Sequence, residues 1–186
     1  MKSIPLFPLP VVFFPETLLP LQIFELRYRR MVKECLAGTS GFVVVHGKDS
    51  KQPDSGFHLS GTYGEILDWH PLPNEMIGIE LKGLSKVRVL EFSTEKDGLI
   101  VANLEVLKAE PTSLDTHDEL VEILHRIQQH PLVSFLPLDL FAADALTISY
   151  QIADLLPFSG SEKQQMLELG NPRQRLELIL TTLKEF

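Results

Sequence analysis

Five prolines, at positions 5, 8, 10, 15 and 20, are threaded through the apolar stretch Ile4–Met31, IPLFPLPVVFFPETLLPLQIFELRYRRM. Proline fixes φ and has no N–H, so this density rules out a helix and disfavours any strand that must donate to both neighbours. The segment is therefore expected to form short edge strands and fixed turns. It runs directly into the amphipathic, basic FELRYRRMVKECL, which predicts one helix from about Phe24 to Leu36.

Up to about Ala109 the remaining pattern is that of strands. GFVVVH (41–46) is a short continuous apolar run of the kind a buried strand shows. FHLSGTYGEILDWHPL (57–72) is long, and Gly61 and Gly64 inside it suggest bulges or bends. MIGIELKG (76–83) and SKVRVLEF (85–92) alternate apolar and polar residues, and Gly83-Leu84-Ser85 between them predicts a hairpin turn. GLIVANLEVLKA (98–109) predicts a further strand. Several short strands with one inserted helix argue for a small barrel.

From Glu110 the period becomes helical. Asp115 is the expected cap of a helix to about Gln129, ended by His130-Pro131. Asp139 to Leu156 fits a long helix closed by Pro157. Ser161-Glu162-Lys163-Gln164 predicts a capping box, Gly170 a stop, and Asn171-Pro172 the start of a last helix carrying Leu176, Ile179, Leu180 and Leu183. The expected organisation is α+β: a strand-rich subdomain over 1–110 and a helical bundle over 111–186.

The residues PLFPLPVVFFPETLLPLQIFELRYRRMV closely resemble the opening signature of the Lon protease N-terminal domain family. In words it is P-L-F-P-L, apolar residues, F-P, L-P-L, then I-F-E-x-R-Y-x-x-M. GTYGEI (61–66), IELKGLSKVRVLEF (79–92) and EKQQMLELGNPRQRLELILTTL (162–183) resemble later stretches of the same family. Departures are Lys86 or Val87 where the family has arginine, and Pro73-Asn74-Glu75 in place of an Asp-Gly turn. The resemblance implies a PUA-like β barrel with one inserted helix, packed beside a helical bundle. It also implies a non-catalytic module that binds unfolded or extended polypeptide, or docks to a protease or chaperone partner, in the manner of an adaptor.

Catalytic chemistry is not legible. There is no G-x-x-x-x-G-K-S/T phosphate loop and no G-x-S-x-G elbow. Cys35 shares a helix face with Met31 and is expected to be a buried, inert thiol. His46, His58, His70, His117, His125 and His130, with Asp115, Asp118 and Asp144, match no metal-ligand spacing; no metal or cofactor is expected. His46 and His58 flank a loop.

The expected polypeptide-binding residues are Pro15, Leu18, Leu19, Pro20 and Phe24 along an apolar groove, with Tyr28 and Trp69 as aromatic anchors. A structural role competes for the same segment, with Phe24, Tyr28, Met31 and Leu36 plugging the barrel. On that reading Glu25 pairs with Arg29, and Arg30 with Glu34, at helical spacing. The alternative partner is RNA, through the basic face Arg27, Arg29, Arg30 and Lys33, and an enzyme acting on a small molecule between barrel and bundle is the third reading. Net charge is −8, and the part after Glu110 holds 5 basic against 11 acidic residues. An acidic chain is a poor general partner for nucleic acid. No apolar run approaches the roughly 20 residues of a membrane span, and cytoplasmic residence is the simplest expectation. A monomer and a weak homo-oligomer are equally compatible with the sequence.

Overall fold

In the computed structural model residues 3–38, 40–48, 56–110, 117–134 and 144–186 are described. The chain divides into two compact units, Met1–Leu107 and Lys108–Phe186. The first holds strands β1 (Ile4–Leu9), β2 (Leu18–Ile23), β3 (Phe42–Gly47), β4 (Phe57–Pro71), β5 (Ile77–Thr94) and β6 (Ile100–Val106), with helix α1 (Leu26–Gly38) between β2 and β3. The second holds α2 (His117–Gln128), α3 (Pro131–Ser134), α4 (Ala145–Leu155), α5 (Gly160–Glu168) and α6 (Pro172–Leu183). The fold is mixed α+β.

The six strands form one sheet in the order β2-β5-β4-β3-β1-β6, and β6 pairs again with β5. The long β5 makes this possible. Its first residues, 77–82, lie between β2 and β4, and from Val87 onward it pairs with β6, with Val87 and Arg88 paired to both β4 and β6. Two apolar clusters fill the unit. One contains Phe13, Ile23, Met31, Phe42, Ile79 and Leu81; the other contains Leu6, Val43, Phe57 and Val87.

Two expectations from the sequence are corrected here. No turn interrupts β5 at Gly83: Ile77–Thr94 is one strand of 18 residues. Gly83 serves a close approach instead. A Cβ there would lie 2.2 Å from the Phe14 carbonyl oxygen, so the N-terminal segment crosses β5 where no side chain fits. Nor is β1 an edge strand despite Pro5 and Pro8. Its first residues pair with β6 and its later ones with β3, so each proline meets a single ladder. β2, which carries Pro20, does lie at the end of the sheet.

In the helical unit the capping box is Ser159 with Glu162, not one opened by Ser161. The Glu162 N–H donates to Ser159 Oγ at 3.3 Å, and the Ser159 N–H donates to Glu162 Oε2 at 2.6 Å. Those bonds hold the Glu162 carboxyl below its ordinary range. Asp144 caps α4 by accepting from the Leu146 and Thr147 N–H groups; the expected start at Asp139 and the cap at Asp115 lie outside the described residues. Asn171 caps α6 as its sequence predicts. Helix α5 ends on an extended Leu169, and Gly170 is not among the glycines with positive φ.

The second unit is organised around Arg175 of α6, which is 0% exposed. Its Nη2 donates to both carboxylate oxygens of Glu110 (2.8 and 2.7 Å), Nη1 donates to Ser149 Oγ (2.8 Å) and Nε to the Met166 carbonyl (2.9 Å). The guanidinium also lies 3.9 Å from the Tyr150 ring, whose hydroxyl donates to Glu110. Burial drives the Tyr150 hydroxyl far above its ordinary pKa, which keeps it a donor. One ion thus ties α4, α5 and α6 to the chain segment that enters the unit.

Candidate functional site

The sheet end formed by β2, β5 and β4 carries an apolar face that the core does not finish covering. Directly paired residues share a face, so the registers place three cross-strand rows together: Leu19–Leu81–Ile66, Leu21–Ile79–Trp69 and Ile23–Ile77–Pro71. Leu81, Ile79 and Ile23 are core residues, with Leu19, Leu21, Ile66 and Ile77 packed half-buried against them. At the β4 end of the middle row Trp69 is 52% exposed. An aromatic side chain left half in water at the rim of a core supplies much area to a partner at little entropic cost.

A bulge sets this arrangement. Ile66 pairs with Leu81 but Asp68 with Glu80, so Leu67 is an extra residue in β4. Strict alternation would have put Trp69 opposite Gly78, on the other face. That other face carries Leu18, Lys82 and Glu65, then Pro20, Glu80 and Asp68. Its charges rim the sheet end.

The residues expected from the sequence fall into two groups. Leu18 (50% exposed), Pro20 and Phe24 (66% exposed) lie at the surface, and Leu19 is half-buried beside them. Pro15 is buried. Tyr28 is buried too, its ring stacked on Phe7 at 4.0 Å, and burial raises its hydroxyl pKa. Met31 is a core residue, whereas Phe24 and Leu36 are exposed and do not plug the sheet. Leu26, the first residue of α1 and 77% exposed, extends the apolar surface beyond Phe24. Leu21, Ile77 and Leu26 were not expected, because only the registers and the helix start reveal their positions.

Three of the four cations of the basic face are engaged, and Lys33 is exposed. Arg27 donates to Glu25 Oε2 (2.9 Å) and to the Gly98 carbonyl (2.9 Å). Arg29, rather than meeting Glu25, pairs with Glu75 at 2.9 Å. Arg30 pairs with Glu34 at its expected spacing, and also with Asp97 and Glu95. The Arg30 guanidinium holds the Asp97 carboxyl below its ordinary range. An open groove of about 420 Å³ along α1 is lined by Leu26, Arg29, Arg30, Lys33, Glu34 and Ala37. Three arginines here face five carboxylates.

Glu75 explains the departure at the β4–β5 turn. Asn74 and Glu75 both have positive φ, 58° and 57°, the geometry of a mirror-image two-residue turn that favours glycine. A glutamate there is strained, and its carboxylate anchors the turn to α1 through Arg29. Among the described residues no cluster of three or more His, Cys, Asp or Glu side chains is placed to hold a metal. Cys35 is buried, with Sγ 3.5 Å from the Gly41 carbonyl oxygen. The rings of His46 and His58 stack at 5.3 Å. No helix among the described residues is long and apolar enough to cross a membrane.

Comparison with known proteins identifies the family and the fold. A LON peptidase N-terminal domain and RING finger protein of Schizosaccharomyces pombe is 27% identical over 221 residues, covering 98% of this chain and 45% of that protein. Lon protease of Brevibacillus choshinensis is 24% identical over 98% of this chain and 25% of its own length. This chain therefore spans less than half of those relatives. The crystal structure of a Lon N-terminal domain protein from Xanthomonas campestris superposes with a TM-score of 0.77 at 26% identity, covering 97% of this chain and 98% of that one. The N-terminal domain of Mycobacterium avium complex Lon protease shares the fold, with a TM-score of 0.70 at 12% identity and 99% coverage of both chains. Residues 3–185 match the ATP-dependent protease La (LON) substrate-binding domain, and the chain belongs to that family.

Proposed function

We propose that this chain is a polypeptide-binding module that captures extended, apolar segments on the β2–β5–β4 sheet end. The observation that carries the reading is the row Leu21–Ile79–Trp69, where a continuous apolar face leaves the core half-covered and ends on an exposed tryptophan. Leu19 continues that face along β2 and Phe24 follows at the exit of the strand, while Leu18 and Pro20 stand on the opposite, charged-rimmed face. Family membership supports the same role, since the matched family is a protease's substrate-binding domain. Residues 3–185 correspond to that domain, and the role read for them is binding. The sheet, with β6 returning to β5, supports describing the strand-rich part as a small PUA-like barrel.

An adaptor role follows from the same reading: segments held on this face are presented to a protease or chaperone partner. RNA is the weaker reading, because Arg27, Arg29 and Arg30 would have to leave carboxylates before neutralising phosphates.

The test is a fluorescence-anisotropy titration with a labelled, permanently unfolded polypeptide beside a labelled single-stranded RNA, each at low and moderate salt. The reading predicts saturable polypeptide binding that tolerates salt and weakens in Leu21→Asp and Trp69→Ala, with circular dichroism unchanged. Steeply salt-dependent RNA binding with no polypeptide binding would overturn it.

A further inference from the structure

From the hydrogen-bond parity of β2, we infer that its free edge adds the bound polypeptide as an extra strand. The inference rests on the polypeptide-binding reading above and specifies how the backbone is held. In an antiparallel ladder, residues alternate between pairs that exchange two hydrogen bonds and pairs whose N–H and C=O groups point away. The Gly83 N–H donates to the Thr17 carbonyl and the Gly83 carbonyl accepts from the Glu16 N–H, both at 3.0 Å, so Gly83 turns both its backbone groups toward the β2 side. Stepping by two, Leu19/Leu81, Leu21/Ile79 and Ile23/Ile77 are the bonded pairs of β2 with β5. The other side of β5 agrees. The Leu72 N–H donates to the Met76 carbonyl at 2.9 Å, which makes His70/Gly78 a bonded pair and turns Gly78 toward β4.

The backbones of Leu18, Pro20 and Gln22 therefore face away from β5. Pro20 stands where its missing N–H costs the native ladder nothing. All three residues are exposed, and β2 is terminal in the sheet. The open edge offers the N–H and C=O of Leu18, the C=O of Pro20, and the N–H and C=O of Gln22. Edges of this kind template strand addition.

Pro20 also decides the occupant. A second copy of β2 paired about a twofold axis at Pro20 would set proline against proline and leave the central rung with no donor, and an axis at Leu19 or Leu21 would set Pro20 against Leu18 or Gln22 and lose one bond from each of two rungs. An extended segment without proline at that position donates its own N–H to the Pro20 carbonyl and fills the rung. The occupant is accordingly an extended segment of a different polypeptide. Its alternate side chains lie beside Leu19 and Leu21 on the apolar face and beside Leu18 and Pro20 on the charged-rimmed one.

The experiment uses the full chain and a fluorescent peptide of alternating valine and threonine, with lysines at its ends. Two further peptides carry N-methyl groups on alternate residues, one on each of the two alternating sets. Strand addition predicts that one methylated set loses affinity by roughly tenfold or more while the other stays within about twofold, because only one peptide edge faces β2. Gln22→Pro, which removes an outward N–H and leaves the β5 ladder intact, should weaken the unmodified peptide roughly three- to tenfold with unchanged circular dichroism. Equal affinity of the two methylated sets would overturn strand addition while leaving side-chain docking intact. Failure of the unmodified peptide to bind would overturn the polypeptide-binding reading itself. A dimer by sedimentation that the peptide dissolves would make a second copy the occupant and overturn a different polypeptide as the partner. The methylated series is measured on the unaltered chain, so it holds even where Gln22→Pro misfolds.

Discussion

Arg175 and Trp69 both break the usual rule of burial, and they break it in opposite ways. The arginine is a charge with no exposed surface; the tryptophan is a large apolar side chain half in water. Around Arg175 the departure is answered inside the unit. Its donors reach Glu110, Ser149 and the Met166 and Leu169 carbonyls, and its face stacks on Tyr150. Around Trp69 the departure is left open. Its row is half-covered, and the edge strand two places away points backbone groups outward. A buried charge with its donors used is architecture, whereas an exposed apolar row beside an unused edge is a place for a partner.

The largest effect that can break this comparison is on stability. Arg175→Ala leaves Glu110 buried without its counter-charge and should cost about 3–5 kcal/mol in urea unfolding, with much of it recovered when Glu110→Gln is added. A cost near zero would mean that the cluster is incidental. Trp69→Ala, by contrast, should leave stability nearly unchanged and lower polypeptide affinity by about 2 kcal/mol, roughly thirtyfold.

The α1 surface sharpens the point that partner number is not worth. Arg30 meets three carboxylates, yet its side chain is 37% exposed. Arg30→Ala should cost less than about 1 kcal/mol, and less still at high salt. The smallest effect is expected at Glu75→Gly, within about 0.5 kcal/mol, since relief of the left-handed strain offsets the lost exposed pair.

A pH scan tests the burial of tyrosines in both units. Tyr28, Tyr63 and Tyr150 all have hydroxyl pKa values raised, by burial first of all. A raised folded pKa contributes stability that is whole below the ordinary value of 10.0 and is lost as pH climbs through the folded one. Tyrosinate absorbance should therefore lag behind that of a free tyrosine above pH 10 and appear with loss of the circular dichroism signal. Full ionisation of a still-folded chain would contradict the burial of these rings.

How far the sequence foretold this can be read from the same residues. The prolines announced strands and turns, Asn171-Pro172 announced α6, and the lone thiol of Cys35 proved buried. Gly83 was misleading, because glycine marks both turns and close approaches, and the Phe14 carbonyl that demands it lies far away in sequence. Arg175 gave no warning: RQRLE on an amphipathic helix ordinarily turns its arginines to water, and Glu110 sits in an unremarkable connector. The site was half legible. The apolar residues of β2 stood out, but the place of Trp69 in their row depends on one extra residue at Leu67, and no alternation pattern reveals a bulge.

The most direct measurement of the central claim reads the chain's single tryptophan. Trp69 emission is followed while an unfolded, tryptophan-free polypeptide is titrated in. Capture on the β2–β5–β4 face predicts a saturable blue shift with the same midpoint as anisotropy, as the indole leaves water. Saturable anisotropy with an unmoved Trp69 spectrum would place the binding elsewhere and contradict the account.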